Sequence, residues 1–324
     1  MAWIELSLNT THEAIDWVST LLAATDYTGD IRITKYAKPD LDHLTNGDVV
    51  QPAWAFTIHL YLTYDVNASA RVEEIDNLLS PLHRTGMTTA LQIIIVEEKP
   101  AYTGGLSPLI HRIGQRFVVL TPDAPYQAKA PDEVTLRLRG TLTFGSGLHP
   151  TTIVSLQLLE RYVTPNMQVL DFGAGSGILS VAMAKLGANV LALDNDRIAV
   201  RATQEAIRQN GVQQQATVME GSLGYGNDLG HWMGRNTSDN LPTINVTPTF
   251  DLIVANILAR VHIALAHDFQ HALRTDAHTG FLITAGFTTD YEDEVDAALI
   301  EAGFEAIDYE RCNEWVAFAH RLKE

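Results

Sequence analysis

A glycine-rich turn in the second half of the chain joins a predicted strand to a predicted helix. It reads DFGAGSG, with Asp171 at its start and glycines at Gly173, Gly175 and Gly177. Glycine lets the backbone approach a ligand closely, and the first turn of a helix offers N–H groups without intrahelical partners. The dinucleotide fingerprint has the spacing G-x-G-x-x-G, whereas the third glycine here comes one residue early. The pattern predicts a ligand site at the end of a strand, with a tight turn that binds no ligand as the alternative.

Two more polar residues end predicted strands. Asp194 ends NVLALD, about 20 residues beyond the first glycine, where an acidic residue of a doubly wound fold accepts hydrogen bonds from ribose hydroxyls. Asn256 ends FDLIVAN, and a side-chain amide can accept from an amine and donate to a carboxylate at once. Either residue could instead cap the helix that follows, as Asp196 could. We expect Asp194 to contact the ribose of an adenosine and Asn256 to lie at the same ligand site.

A second glycine-containing loop, FGSGLHPTT, spans Phe144–Thr152 just ahead of a predicted helix. Its two glycines would let it lie over a ligand, and we expect Phe144 and His149 to shield or contact that ligand. Thr151 and Thr152 are favourable N-cap residues, so capping alone would explain them. If the helix packs beside the ligand end of the sheet, their hydroxyls would also face the ligand.

The elements around these motifs predict two kinds of domain. From residue 144 onward, strands alternate with helices, which is typical of a doubly wound parallel sheet. The last two predicted strands have too short a connection for a parallel crossover, so we expect an antiparallel hairpin at the edge of the sheet. The first hundred residues read β-α-β-β-α-β, the ferredoxin-like pattern. We therefore predict an α+β domain over 1–98, a proline-containing linker over 99–143 and an α/β domain over 144–324.

Composition narrows the classes of partner. The formal net charge is -17, which disfavours binding to a phosphate backbone and favours a cationic partner or simple solubility. Cys312 is the single cysteine, so no intrachain disulfide can form. The start of the chain lacks the pattern of a signal peptide, and no apolar run is long enough to span a bilayer. We expect a cytoplasmic protein that binds neither nucleic acid nor membrane.

Two other features of the sequence suggest no chemistry. Four histidines crowd one helical region without a third acidic or thiol ligand in a metal-binding pattern, so we expect no metal site: His262, His267, His271 and His278. The stretch 221–248 is rich in Gly, Asn and Thr and longer than ordinary loops, which indicates a flexible insertion or a lid.

Several segments, in this order and spacing, resemble the ribosomal protein L11 methyltransferase family: FGSGLHPTT, VLDFGAGSGILSVAMAKLGA, ALDNDRIAV, NGV, DLIVANILA and EWVAFAHR. The resemblance covers most of the chain. It implies an S-adenosylmethionine-dependent methyltransferase with a doubly wound, Rossmann-like fold, and a ferredoxin-like N-terminal domain that presents the substrate. It implies cofactor contacts at Thr152, Gly173, Asp194 and Asn256, with the glycine motif completed by Asp171, Gly175 and Gly177.

The same resemblance implies the reaction, methylation of lysine and N-terminal amines of a basic ribosomal protein. We expect Asn256 to orient the amine, and the enzyme to act as a monomer. The chain departs from the family pattern at Ser146 and Leu148, at Arg139-Gly140, and in the 221–248 stretch. A methyltransferase acting on a different protein or on a small-molecule amine remains an alternative, as does a nucleotide-binding module or a nicotinamide oxidoreductase.

Overall fold

The computed structural model describes residues 2–22, 25, 27, 29, 31–37, 54–99, 110–121, 124–138, 145–224, 243–244, 247–275 and 280–323. The chain divides into two compact units. The first unit comprises Met1–Ile110, Asp123–Pro125 and Arg139–His149, and the second comprises His111–Pro122, Tyr126–Leu138 and Pro150–Glu324. Within the described residues, no helix is both long and apolar enough to cross a membrane.

The first unit is a four-stranded sheet with two helices. Its elements are β1 (Trp3–Thr10), α1 (Ala14–Leu22), β2 (Ile31–Lys35), β3 (Phe56–Thr63), α2 (Ala68–Arg84) and β4 (Gln92–Val96). The strands lie in the order β2-β3-β1-β4, and every neighbouring pair is antiparallel. Alternate residues of β1 are buried, and they pack with α1 and α2 in one apolar core. The order of strands and helices is the one that the sequence predicts.

Three short strands lie in the stretch predicted as a linker. They are β5 (Ile110–Ile113), β6 (Phe117–Leu120) and β7 (Val134–Arg137), in a sheet of their own with that order. The sequence predicts only the middle strand, because FVVL is a continuous apolar run, whereas IHRI and VTLR are equally short and contain polar or charged residues. All four residues of β6 are buried, so this segment contributes to an apolar core.

The second unit is built on a mixed sheet. Its remaining elements are α3 (Pro150–Tyr162), β8 (Gln168–Phe172), α4 (Ile178–Lys185), β9 (Asn189–Asp194), α5 (Arg197–Gln209), β10 (Ala216–Glu220), β11 (Ser222–Leu223), β12 (Thr243–Ile244), β13 (Leu252–Asn256), α6 (Ala259–Ala272), β14 (Phe281–Thr288), α7 (Glu292–Glu301), β15 (Phe304–Cys312) and β16 (Trp315–Leu322). The seven-stranded sheet has the order β10-β9-β8-β13-β14-β16-β15. Strands β11 and β12 pair separately.

The pairing within the seven-stranded sheet explains its sequence patterns. Strands β10, β9, β8, β13 and β14 are parallel, whereas β16 is antiparallel to both β14 and β15. The predicted antiparallel hairpin at the edge is therefore confirmed. Strand β13 is buried along most of its length, as expected for a parallel strand with helices on both faces. Strand β10 is absent from the sequence prediction, because ATVME is short and only alternately buried.

Candidate functional site

Three neighbouring strands end where a doubly wound sheet binds its ligands. The chain leaves β8 for β9 on one side, whereas β13 lies on the other side of β8. This reversal is a topological switch point, and such folds bind ligands outside the carboxyl ends of the strands there. Asp171 lies near the end of β8 and the glycine-rich turn (Gly173–Gly177) follows that strand, Asp194 ends β9 and Asn256 ends β13. The structure thus brings together the three strand ends that the sequence singles out.

The backbone of the glycine-rich turn is fixed by the neighbouring strand. Gly173, Gly175 and Gly177 all have positive φ angles, of 78°, 57° and 81°. The N–H of Gly173 donates to the Leu193 carbonyl at 2.9 Å, which ties the turn to the end of β9. A Cβ on Gly173 would lie 2.6 Å from Ile257 Cγ2, just beyond β13. The turn therefore needs glycine for its conformation and for its packing against the segment that follows Asn256.

Asp171 is a fully buried carboxyl group at the start of the turn. Its Oδ2 accepts a hydrogen bond from the Ser180 hydroxyl, and its Oδ1 has no partner among the described residues. Burial raises the pKa of Asp171 to about 7, an effect that the Ser180 hydrogen bond opposes and the nearby Asp194 reinforces. At neutral pH the group is therefore partly protonated, and its second oxygen can accept or donate a hydrogen bond.

Asp194 is bound to the glycine-rich turn and does not cap a helix. Its carboxylate accepts hydrogen bonds from the Gly175 N–H and the Asp196 N–H, each at 2.9 Å. The cap of α5 is Asp196, whose side chain accepts from the Ile198 N–H at 2.8 Å. The capping explanation for Asp194 is thus wrong, and two backbone donors hold its carboxylate at the strand end.

The two threonines of the loop lie inside α3 and do not cap it, contrary to the capping prediction. The helix begins at Pro150, whose fixed φ angle and missing N–H suit a first helical position. The hydroxyl of Thr151 donates to Asn256 Oδ1 at 2.9 Å, which joins α3 to the end of β13. Thr152 is fully buried, and its Oγ1 has no hydrogen-bond partner among the described residues. A buried hydroxyl without a partner is costly, which is consistent with a ligand-binding role.

The other half of the loop belongs to the first unit. The N–H groups of Gly145 and Ser146 donate to the buried carboxyl of Asp16 at 3.0 and 3.1 Å. His149 is fully buried there, and burial, together with the nearby His12, lowers its pKa to about 3, so the ring is neutral. Phe144 lies outside the described residues, as does most of the predicted 221–248 insertion.

Several residues around this site are not predicted as site residues by the sequence patterns. The Ser180 hydroxyl on α4 donates to Asp171 near the end of β8, and the Thr203 hydroxyl donates to the Gly175 carbonyl at 3.1 Å. His262 is fully buried on α6. Gly286 of β14 packs against the backbone of Ile257, the residue after Asn256. The sequence does contain a signal for it, since a lone glycine inside a strand indicates a bulge or a close backbone approach. Among the described residues, no group of three or more His, Cys, Asp or Glu side chains is arranged to hold a metal ion.

The chain matches known proteins over nearly its whole length. The family model described as ribosomal protein L11 methyltransferase (PrmA) matches residues 2–323. A ribosomal protein L11 methyltransferase of Chloroflexus aurantiacus is 40% identical over 330 residues, covering 99% of this chain and 98% of that protein. A protein of the same name from Herpetosiphon aurantiacus is 38% identical, covering 99% of each chain.

A solved structure with a related name is also similar to this chain. The ribosomal protein L11 methylase from Lactobacillus delbrueckii subsp. bulgaricus is 28% identical, with a TM-score of 0.55. The match covers 66% of this chain and 99% of that one. Because the family model and the relatives both extend over almost every residue, the chain belongs to the ribosomal protein L11 methyltransferase family.

Proposed function

We propose that this protein transfers methyl groups from S-adenosylmethionine to lysine and N-terminal amines of ribosomal protein L11. The observation that carries the proposal is the cluster at the ends of β8, β9 and β13, in a chain of this family. Asp171, Asp194 and Asn256 lie on three adjacent strands and are linked through the glycine-rich turn and α3. The ribosomal substrate is inferred from the names of the relatives.

The residues at the strand ends fit the chemistry of S-adenosylmethionine. The cofactor carries ribose hydroxyls, an ammonium group and a carboxylate, and so requires acceptors as well as donors. Asp194 offers carboxylate oxygens for the ribose, and the buried atoms Thr152 Oγ1 and Asp171 Oδ1 lack partners among the described residues. Gly173, with no side chain, lets a ligand approach the turn closely. Gly175, Gly177, Phe144 and His149 complete the proposed cofactor-binding set.

The bound cofactor would supply a methyl group on a sulfonium, and a neutral amine can attack that methyl carbon directly, with the thioether S-adenosylhomocysteine as the leaving group. Such a displacement needs mainly a positioned nucleophile. A lysine with a pKa of about 10.4 is largely protonated at neutral pH, so the site has to favour the neutral amine. Asn256 accepts from Thr151 through its Oδ1, which fixes the orientation of its amide at the strand end. In the proposed mechanism Asn256 and nearby backbone carbonyls orient the amine, and its proton leaves to water.

The first unit is proposed to present the protein substrate. Its β-α-β-β-α-β order and antiparallel β2-β3-β1-β4 sheet support a ferredoxin-like domain. The domain division 1–98, 99–143 and 144–324 is part of the same proposal. A net charge of -17 would attract a basic ribosomal protein and disfavour nucleic acid. We place the reaction in the cytoplasm, with the enzyme as a monomer.

The test is methyl transfer with labelled S-adenosylmethionine and purified L11, followed by mass spectrometry of the product. Asn256→Ala is expected to lower kcat roughly 10- to 100-fold. Asn189→Ala is the matched control, because Asn189 is exposed at the opposite end of the sheet, at the start of β9. Full activity of Asn256→Ala would refute the role of that residue. If wild type modified a different protein or a small-molecule amine in place of L11, the substrate would be wrong.

A further inference from the structure

The backbone that follows Asn256 is attached to the adjacent strand β14. Asn256 lies opposite Ala285 in the parallel register of β13 and β14. The N–H of the next residue, Ile257, donates to the Ala285 carbonyl at 2.9 Å. The position of Asn256 therefore depends on where β14 places that carbonyl.

Strand β14 is irregular at this point. Its pairing with β16 shifts register between Thr284 and Phe287, and Gly286 has a φ angle of +95°. A Cβ on Gly286 would lie 2.4 Å from the carbonyl oxygen of Ile257 and 2.6 Å from its nitrogen. These are backbone atoms, which cannot swing aside as a flexible side chain can. The Ala285-Gly286 bulge is thus packed directly against the residue after Asn256.

His262, in the first turn of α6, contacts the same bulge. Its side chain is fully buried, and its Nε2 lies 2.9 Å from the Ala285 carbonyl oxygen. A carbonyl only accepts, so the hydrogen of the ring is on Nε2. Burial lowers the pKa of His262 to about 4, which keeps the ring neutral at physiological pH. Because a carbonyl has two lone pairs, Ala285 can accept from His262 and from Ile257 together.

A purely structural histidine is the simpler explanation, and the chain offers a comparison for it. His320 on β16 also has a fully buried side chain, and burial lowers its pKa to about 4 as well. Its Nε2 lies 3.4 Å from Asp296 Oδ1, so its polar partner is on α7, although His320 pairs with Leu282 of β14 and its charge also lowers the pKa of His262. A leucine would fill either site without the cost of burying a polar ring. The feature that distinguishes His262 is its hydrogen bond to the carbonyl that anchors the segment after Asn256.

We infer that His262 is a positioning residue for Asn256, which it holds in place through the carbonyl of the Ala285-Gly286 bulge. The inference rests on the proposed role of Asn256 in methyl transfer. His262 itself contacts no reacting group in this arrangement. Its effect is to keep the bulge, the Ile257 N–H and therefore the Asn256 amide in one geometry.

The first test needs no cofactor and measures hydrogen exchange of the Ile257 amide in the full chain. His262→Leu removes the donor, and exchange is expected to become roughly 10-fold faster or more. His262→Gln carries an amide N–H at a similar reach and should restore most of the protection. His320→Leu should lower the melting temperature without changing Ile257 exchange relative to neighbouring amides. Equal exchange in all four proteins would overturn the inference.

The second test is a double-mutant cycle on methyl transfer. If His262 acts through Asn256, His262→Leu should lower kcat roughly 10-fold in the wild-type background and by less than about twofold in Asn256→Ala. His320→Leu should change kcat by less than about twofold in both backgrounds. Independent losses that multiply in the double variant would assign His262 a merely structural role, and so would equal losses for His262→Leu and His320→Leu.

The outcomes separate this inference from the proposed function. If wild type binds S-adenosylhomocysteine in calorimetry but methylates no L11, the substrate is wrong, and amide exchange still decides the role of His262. If wild type methylates L11 and the His262 variants behave as the His320 variant does, the inference alone fails. Should His262→Leu not fold, His262→Asn takes its place, because its amide is one bond shorter than that of glutamine and cannot reach the Ala285 carbonyl as well. Faster Ile257 exchange and lower kcat in His262→Asn than in His262→Gln support the inference, and equal values in the two contradict it.

Discussion

The destabilising effect of a buried, ionised carboxyl group can be measured at Asp16, from the unfolding free energy at different pH values. It lies on α1 in the first unit, is fully buried, and accepts hydrogen bonds from the N–H groups of Gly145 and Ser146. Burial raises its pKa from 3.8 to about 6, although the hydrogen bonds from Ser146 and Gly145 oppose the shift. We predict that Asp16→Asn makes the first unit progressively more stable relative to wild type as the pH rises.

The sign follows from the raised pKa. Because the folded chain holds the proton more tightly than the unfolded chain, the contribution of Asp16 to stability is fully present below a pH of about 4 and is lost as the pH rises through about 6. A shift of about two units corresponds to ~3 kcal/mol in total, of which ~1.4 kcal/mol is lost between a pH of about 5 and about 7.5. Asparagine does not titrate. The difference in unfolding free energy between variant and wild type should therefore change by ~1.4 kcal/mol over this range, whatever its constant part.

The assay is native-state hydrogen exchange of β1 and β3 amides at the two pH values, which reports the unfolding free energy of the first unit. Asp65→Asn is the control, because Asp65 is a surface residue of the same unit whose pKa is lowered, chiefly by its hydrogen bond with the Thr63 hydroxyl. Its difference from wild type should stay nearly constant between the two pH values, because a lowered pKa changes stability only at and below the ordinary value of 3.8. The reasoning fails if the difference for Asp16→Asn is independent of pH, or if the Asp16 carboxyl carbon titrates below about pH 4.5.

Three further predictions concern the second unit. Burial lowers the pKa of His320 to about 4, so its contribution to stability is present above about pH 6.5 and is lost as the pH falls. Between neutral pH and about pH 5, the unfolding free energy of His320→Gln should therefore fall by ~2 kcal/mol less than that of wild type, as measured by urea unfolding. Gly286→Ala should lower the unfolding free energy by at least ~2 kcal/mol more than Gly211→Ala, because both glycines have positive φ but a Cβ on Gly211 meets nothing within 4 Å. Thr152→Val should raise the melting temperature without ligand and weaken S-adenosylhomocysteine binding roughly 10-fold in calorimetry, whereas Thr20→Val in α1 should only destabilise, since its buried hydroxyl donates to the Asp16 backbone carbonyl of the first unit.

Local patterns predict much of the second unit. Buried strands, amphipathic helices and the short connection between the last two strands each follow from a few neighbouring residues, and the ends of β8, β9 and β13 locate the candidate site. The start of α3 is mispredicted, because Pro150 suits the first helical position as well as Thr151 suits a cap. Strand β10 is missed because its pattern is short. Local pattern therefore identifies elements better than it identifies their first residues.

Local sequence patterns do not predict contacts between segments that are distant in the chain. The Ser180 hydrogen bond to Asp171 requires knowing which face of α4 meets β8, and the contact of His262 with Ala285 requires the bulge in β14. In the sequence, His262 lies at helical spacing from Ala259, Leu265 and Phe269, which marks the buried face of α6, but this pattern does not tell which strand that face meets. Such partners depend on packing across the sheet, and single-sequence periodicity carries no information about it.

The partly ionised state of Asp171 makes cofactor binding sensitive to protons. Its pKa is raised to about 7, mainly by burial and also by Asp194, and its Oδ1 has no partner among the described residues. In the proposed site, S-adenosylhomocysteine would bring hydroxyl and ammonium donors to this pair of carboxyl groups, and donors lower the pKa of the group they meet. Binding near pH 7 should therefore release up to ~0.5 proton. Calorimetry in buffers of different ionisation enthalpy measures the release. Asp171→Asn should abolish most of it, and a binding enthalpy independent of buffer in wild type would contradict the coupling.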